Sequence, residues 1–109
     1  MDGKGIYCSH LDRGFWFEND EAHRYVINGY EIVRFIILDG YAELRTHSIR
    51  IRKVPREKCN GTDCKYDFLD RKTLKLNSTP TPCQLVHSAN ALEKLLQDKI
   101  DAAKAENKI

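Results

Sequence analysis

Four cysteines, Cys8, Cys59, Cys64 and Cys83, are the residues whose type and spacing most directly suggest chemistry in this 109-residue chain. An even number in a short chain reads as a disulfide framework with three possible connectivities. Cys59-Asn60-Gly61-Thr62-Asp63-Cys64 is a short polar loop that closes easily on itself. Cys8 ends the first expected strand and Cys83 begins the last, and terminal strands of a small β-domain often lie side by side. The favoured pairing is therefore Cys8–Cys83 with Cys59–Cys64. By chain entropy the long bridge would contribute about 4–5 kcal/mol and the short one about 2 kcal/mol. Two other states stay open at this level. One is four free thiols in a reducing compartment. The other is zinc, held by Cys59-x4-Cys64 and Cys83-x3-His87, although that spacing is loose and no zinc-knuckle sequence surrounds it.

The remaining reactive side chains are scattered. His10, His23, His47 and His87 form no His-x-x-x-His pair, and no glycine-rich phosphate loop or nucleophile elbow is present. His10 lies two residues from Cys8, but a thiolate–imidazole pair needs a third, orienting group that the sequence does not show. One charge feature stands out. Between residues 45 and 58, Arg45, Arg50, Arg52, Lys53, Arg56 and Lys58 face only Glu57. Such a stripe could grip phosphates, with Phe15, Trp16, Phe17 or Tyr41 as stacking platforms. The plainer reading is a set of strand arginines that keep a solvent face polar and discourage edge pairing. Phe15 and Phe17 are expected to face the core. Trp16 then points the other way, as a contact residue or under a covering helix.

The elements that must position these groups follow from periodicity. Gly5–Cys8, Gly14–Glu18 and His23–Ile27 read as strands, with Asn19-Asp20 as a turn. Asn28-Gly29 is a strong hairpin signal leading into a strand from Tyr30 to Leu38. Asp39-Gly40 repeats that logic before Tyr41–Arg45. Phe35 to Leu38 is apolar on both faces, so cover on both sides is expected there. Ser48-Ile49-Arg50-Ile51-Arg52 alternates cleanly, isoleucines inward. Tyr66–Phe68, Thr73–Leu76 and Cys83–His87 complete the strands. The period then changes: Leu92, Leu95, Leu96, Ile100 and Ala103 share one helical face, with Asn90 and Glu93 placed as a capping box.

This pattern predicts a mainly β, α+β fold. An antiparallel sheet is rolled into a small barrel or half-barrel, and one C-terminal helix packs on it. The chain reads as one domain, 1–109, with a β region over 5–87 and an amphipathic helix over 90–106. Charged residues are 31% of the chain, which fits a globular domain, and the net charge of +2 is too small to argue by itself for a polyanionic partner. No apolar run approaches the ~18 residues of a membrane span. No apolar stretch follows Met1, so the chain is expected either to be cytoplasmic or to be exported after loss of a leader, and the cysteines favour export, periplasmic or secreted.

Gly14-Phe15-Trp16-Phe17-Glu18-Asn19, Asn28-Gly29-Tyr30-Glu31-Ile32, Leu69-Asp70-Arg71-Lys72-Thr73-Leu74-Lys75-Leu76 and Cys83-Gln84-Leu85-Val86 occur in an order that resembles small uncharacterised proteins of bacteriophages and bacteria. Over residues 7–100 the resemblance implies a short exported chain with an early cysteine and another before a C-terminal helix. It implies no site residue. A more distant resemblance is to periplasmic lysozyme inhibitors, in size, β content and early cysteines. The expected function is a non-enzymatic, protein-binding accessory factor, encoded by a phage or a bacterium. It takes no cofactor and does not span a membrane. Its partner is another protein rather than nucleic acid, and its oligomeric state is open. The alternatives are a nucleic-acid-binding β-barrel using residues 45–58, with Arg45, Arg50, Arg52, Lys53 and Trp16 as contacts, and a small zinc module.

Overall fold

The computed structural model describes residues 1–44, 47–59 and 65–106. The strands among them are β1 (Lys4–Cys8), β2 (Arg13–Glu18), β3 (Glu21–Asn28), β4 (Glu31–Ile37), β5 (Tyr41–Leu44), β6 (Ser48–Arg52), β7 (Tyr66–Asp70) and β8 (Gln84–Val86), followed by helix α1 (Ala89–Glu106). They form two antiparallel sheets, one of five strands in the order β4-β3-β2-β1-β8 and one of three in the order β5-β6-β7. The expected mainly β, α+β fold with a C-terminal helix is present. The expected closure is not, because neither sheet rolls into a barrel.

The division begins at Asp39-Gly40. These residues do not join a hairpin, as their sequence suggests, but carry the chain out of the first sheet into the second. Asp39 is left-handed (φ 49°). Gly40 lies so close to the backbone of Ala22 that a Cβ there would collide with it. The Gly40 amide donates to the Asp20 carbonyl at 3.0 Å, and the Arg52 amide donates to the Gly40 carbonyl at 2.7 Å. The crossing is thereby pinned to both layers. As a result, among the described residues, β5 pairs with β6 alone and β4 has no neighbour on its outer side.

The other hairpins follow local chemistry. Asn19 and Asp20 both have positive φ (51° and 62°), as a type I′ turn requires between β2 and β3. In the β3–β4 hairpin Asn28 pairs with Glu31, so the central residues are Gly29 and Tyr30. Only Gly29 (φ 64°) is left-handed, the pattern of a type II′ turn and one residue later than Asn28-Gly29 implies. Thr73–Leu76 is not a strand. Asp70 Oδ1 accepts hydrogen bonds from the amides of Lys72 (2.8 Å) and Thr73 (3.1 Å), and Leu74 turns left-handed, leaving only a bridge between Leu69 and Leu76.

The five-stranded sheet is the middle layer. Ile6, Cys8, Phe15, Phe17 and Ala22 face the smaller sheet and pack with Ile49, Ile51, Leu69, Leu76 and Cys83. The alternate residues Tyr7, Trp16 and Tyr25 face α1 and pack with Val86, Leu92 and Leu96. The helix packs tightly over Gly14, where any side chain would collide with Leu92. Ser88, not Asn90, caps the helix, its Oγ accepting from the Ala91 amide at 3.0 Å. The apolar stripe ends at Ile100, and Ala103 is exposed. At the far side of the helix Lys99 reaches the Ser9 carbonyl and the Asp12 carboxylate.

Because Leu96 is fully buried between α1 and the sheet, Leu96→Ala is expected to destabilise the protein by about 2–5 kcal/mol. Urea denaturation followed by far-UV circular dichroism reads this directly. A loss below about 0.5 kcal/mol would mean that the helix is not part of the cooperative core.

Candidate functional site: an open apolar strand edge

β4 has the sequence Glu31-Ile32-Val33-Arg34-Phe35-Ile36-Ile37. The cover expected over its apolar end is missing. Phe35 is 51% exposed on the face toward the smaller sheet, Ile36 is 47% exposed on the helix face, and Leu38 just beyond is 67% exposed. Two facts of assembly leave them bare. α1 packs over β1, β2 and the start of β4, where Ile32 is partly buried. The smaller sheet is tied to the other face through β3, with Arg24 bound to Asp67.

The backbone of this edge is open as well. A two-residue hairpin makes Asn28 and Glu31 the closing hydrogen-bonded pair, so bonded and non-bonded pairs alternate from there. Val33, Phe35 and Ile37 thus direct their amides and carbonyls to β3, while Ile32, Arg34 and Ile36 direct theirs outward. Edge strands are usually guarded by prolines, bulges or repeated charges. β4 has no proline and one inner charge, Arg34. A shallow groove between β4 and α1, lined by Tyr25, Ile32, Arg34, Asn90, Glu93, Lys94 and Gln97, runs along this edge. Tyr25 donates its hydroxyl to Glu93 at 3.4 Å, and burial raises that hydroxyl's pKa above its ordinary value.

The basic segment builds a second surface. Arg50 and Arg52 share the outer face of β6, as their alternation requires, and lie across from Phe68 and Tyr66 of β7. The Arg50 guanidinium stacks over Tyr66 at 4.5 Å and that of Arg52 at 5.6 Å, beside a half-exposed Phe68. Arg52 Nε also donates to the Asp39 carbonyl at 3.1 Å. Lys53 is drawn to the buried Asp67 carboxylate (3.5 Å) rather than to the surface stripe. Trp16 is not a contact residue, because α1 covers it and only 7% remains exposed. Arg45 lies outside the described residues.

The cysteines divide in the same way. Cys8 and Cys83 stand with their sulfurs 1.97 Å apart as a disulfide, one position beyond the Tyr7–Gln84 pair that joins β1 to β8. That bond takes Cys83 out of the zinc set proposed with Cys59, Cys64 and His87, and it takes Cys8 away from His10. The Cys59–Cys64 bridge falls on Cys64, outside the described residues. Two clusters were not legible in the sequence. Glu18, Glu21 and the buried His23 bring their ligand atoms within 4.8 Å of one another, because Glu18 pairs directly with Glu21 and His23 follows two residues on. Asp67, fully buried, accepts from Arg24 at 2.7 Å and from Asn77 at 2.8 Å. Among the described residues no helix is long and apolar enough to cross a membrane. Comparison with protein-family models, with curated proteins and with solved structures finds no match.

Proposed function

We propose that this chain is a non-enzymatic protein-binding factor that receives its partner along the β4 edge. The observation that carries the reading is an edge strand with outward backbone groups and exposed apolar side chains on both faces at once. Such an edge accepts an added strand, main-chain hydrogen bonds supplying affinity and alternate side chains supplying specificity. Large apolar groups grouped at one exposed place mark interaction surfaces more often than they decorate monomers. The Cys8–Cys83 bridge supports maturation in an oxidising compartment and hence an exported protein. The order of motifs shared with small phage and bacterial proteins supports a phage- or bacterium-encoded accessory role.

A second reading is favoured by one observation of its own. Arg50 and Arg52 over Tyr66, beside Phe68, form a cationic and aromatic face suited to single-stranded nucleic acid. The first reading ranks above it because both guanidiniums already stack on one ring. Phosphate contacts of so few cations also weaken steeply with salt.

A photo-crosslinking benzophenone side chain at Leu38, in cells that make the protein, should capture a protein chain, whereas the same group at Phe68 should capture none. Capture at Phe68 alone would move the contact to the smaller sheet. So would sub-micromolar binding of single-stranded DNA or RNA at about 150 mM salt that Arg50→Glu with Arg52→Glu abolishes.

A further inference from the structure

We infer that the occupant of the β4 edge is the β4 edge of a second copy of this chain, paired antiparallel about a twofold axis at Phe35. The inference rests on the reading of β4 as the contact surface and names the partner.

An incoming strand must be apolar on both of its own faces, since Phe35 is exposed on one side of β4 and Ile36 and Leu38 on the other. β4 itself meets that demand. Twofold symmetry then restricts the register, because the axis stands perpendicular to the joined sheet and every residue must face one of the same parity. An axis at Arg34 would set Arg34 against its symmetry mate, and like charges directly opposite destabilise a strand pair. An axis at Val33 would place Phe35 against Glu31 and leave Leu38 bare. The axis at Phe35 pairs Phe35 with its own mate, Arg34 with Ile36, and Val33 with Ile37. Each of these pairs brings an apolar group under cover without opposing like charges. The outward backbone groups of Arg34 and Ile36 bond each other across the axis, and Phe35 occupies a non-bonded pair, in which side chains approach most closely. The Arg34 stem lies along Ile36 of the mate, leaving its charged head free to reach water. The two five-stranded sheets become one, and both unguarded edges disappear.

The register makes the test specific. Sedimentation equilibrium of the wild-type protein should give twice the chain mass. Ile36→Lys places a lysine opposite Arg34 of the mate and should raise the dimer dissociation constant by at least about tenfold. Ile36→Glu places a carboxylate opposite the same arginine and should associate more strongly than Ile36→Lys. Ile36 is about half exposed, so neither substitution threatens the fold. Under oxidation Phe35→Cys should form a covalent dimer, since Cα atoms of a non-bonded antiparallel pair lie about 4.5 Å apart, within disulfide reach. Val33→Cys, displaced from its own mate along both strands, should not. Equal effects of lysine and glutamate at position 36, or covalent dimer from Val33→Cys but not from Phe35→Cys, would overturn this pairing. A wild-type protein that is monomeric at all concentrations, while the group at Leu38 captures a different protein, would overturn the second copy and leave β4 as the contact edge. A dimer indifferent to every β4 substitution would overturn both.

Discussion

Replacing Cys8 and Cys83 together by alanine is expected to remove about 4 kcal/mol of stability, because the bridge closes a loop spanning 75 positions in sequence. Domains of this size are typically stable by about 5–15 kcal/mol, so the variant should be marginal or unfolded at 37 °C. The position of the bond enlarges its consequences. β8 has only three residues and, among the described residues, pairs only with β1, from Gly5–Val86 to Tyr7–Gln84. The disulfide continues that short ladder by one covalent step, and α1 begins three residues after β8 ends. Without it, β8 must hold by a ladder too short to be stable alone, and the helix loses its anchored start. Urea denaturation of the double variant and of fully reduced wild-type protein should give midpoints far below that of the oxidised protein. Equal midpoints for all three would show that the bond contributes nothing and would remove the main support for an oxidising compartment.

The second large effect is expected at Asp67. Its carboxylate is fully buried between the sheets and receives Arg24 of β3, Asn77 and, more distantly, Lys53. Burial by itself would raise its pKa. Hydrogen bonds from Asn77 and Arg24, with the charges of Arg24 and Lys53, outweigh that and hold it below the ordinary aspartate value. The pair therefore stabilises the fold fully above the unfolded carboxyl pKa, and the contribution is lost as pH falls through the lower folded value. Asp67→Asn keeps the shape but strands the Arg24 guanidinium in the interior, and its cost should be about 3–5 kcal/mol at neutral pH. Melting temperatures between pH 2 and pH 7 should show a shallower acid limb for Asp67→Asn than for wild type. Replacing Arg24 and Asp67 together by leucine should cost much less than either single change, since no charge is then left alone. If Asp67→Asn were neutral and the acid limbs coincided, the ion pair would not be what ties the two sheets.

Much of the local structure was legible in the residues. The alternation of Ile49 and Ile51 with Arg50 and Arg52 places two residues in the core and two on the surface, as found. Leu92, Leu96 and Ile100 face the sheet because their spacing allows one contact stripe. The Cys8–Cys83 pairing followed from the positions of two strands at opposite ends of the β region. What misled was chemistry that two structures satisfy equally. Asp39-Gly40 suits a hairpin turn, but it also suits a left-handed step and a close crossing over Ala22, and the second is what forms. Phe35-Ile36-Ile37-Leu38 has the composition of a doubly covered strand, yet it lies at an edge. Trp16 could have been a platform for a ligand and instead supports the helix.

The amino-acid sequence by itself determined the type of most elements, the inward faces of β6 and of the C-terminal helix, and a Cys8–Cys83 bridge as the favoured one of the states it allowed. These depend on side-chain spacing and on turn residues, which act within a few positions of one another. Only the tertiary structure decided that the strands divide into two sheets, that β4 has no outer neighbour among the described residues and that Asp67 meets Arg24. Each of these depends on which distant segments come to lie together. At Gly40 that choice depends on a backbone contact with Ala22, eighteen positions earlier, which no local periodicity encodes. The candidate site exists because of that one crossing, since a β4–β5 hairpin would have covered the edge that Phe35, Ile36 and Leu38 now leave open.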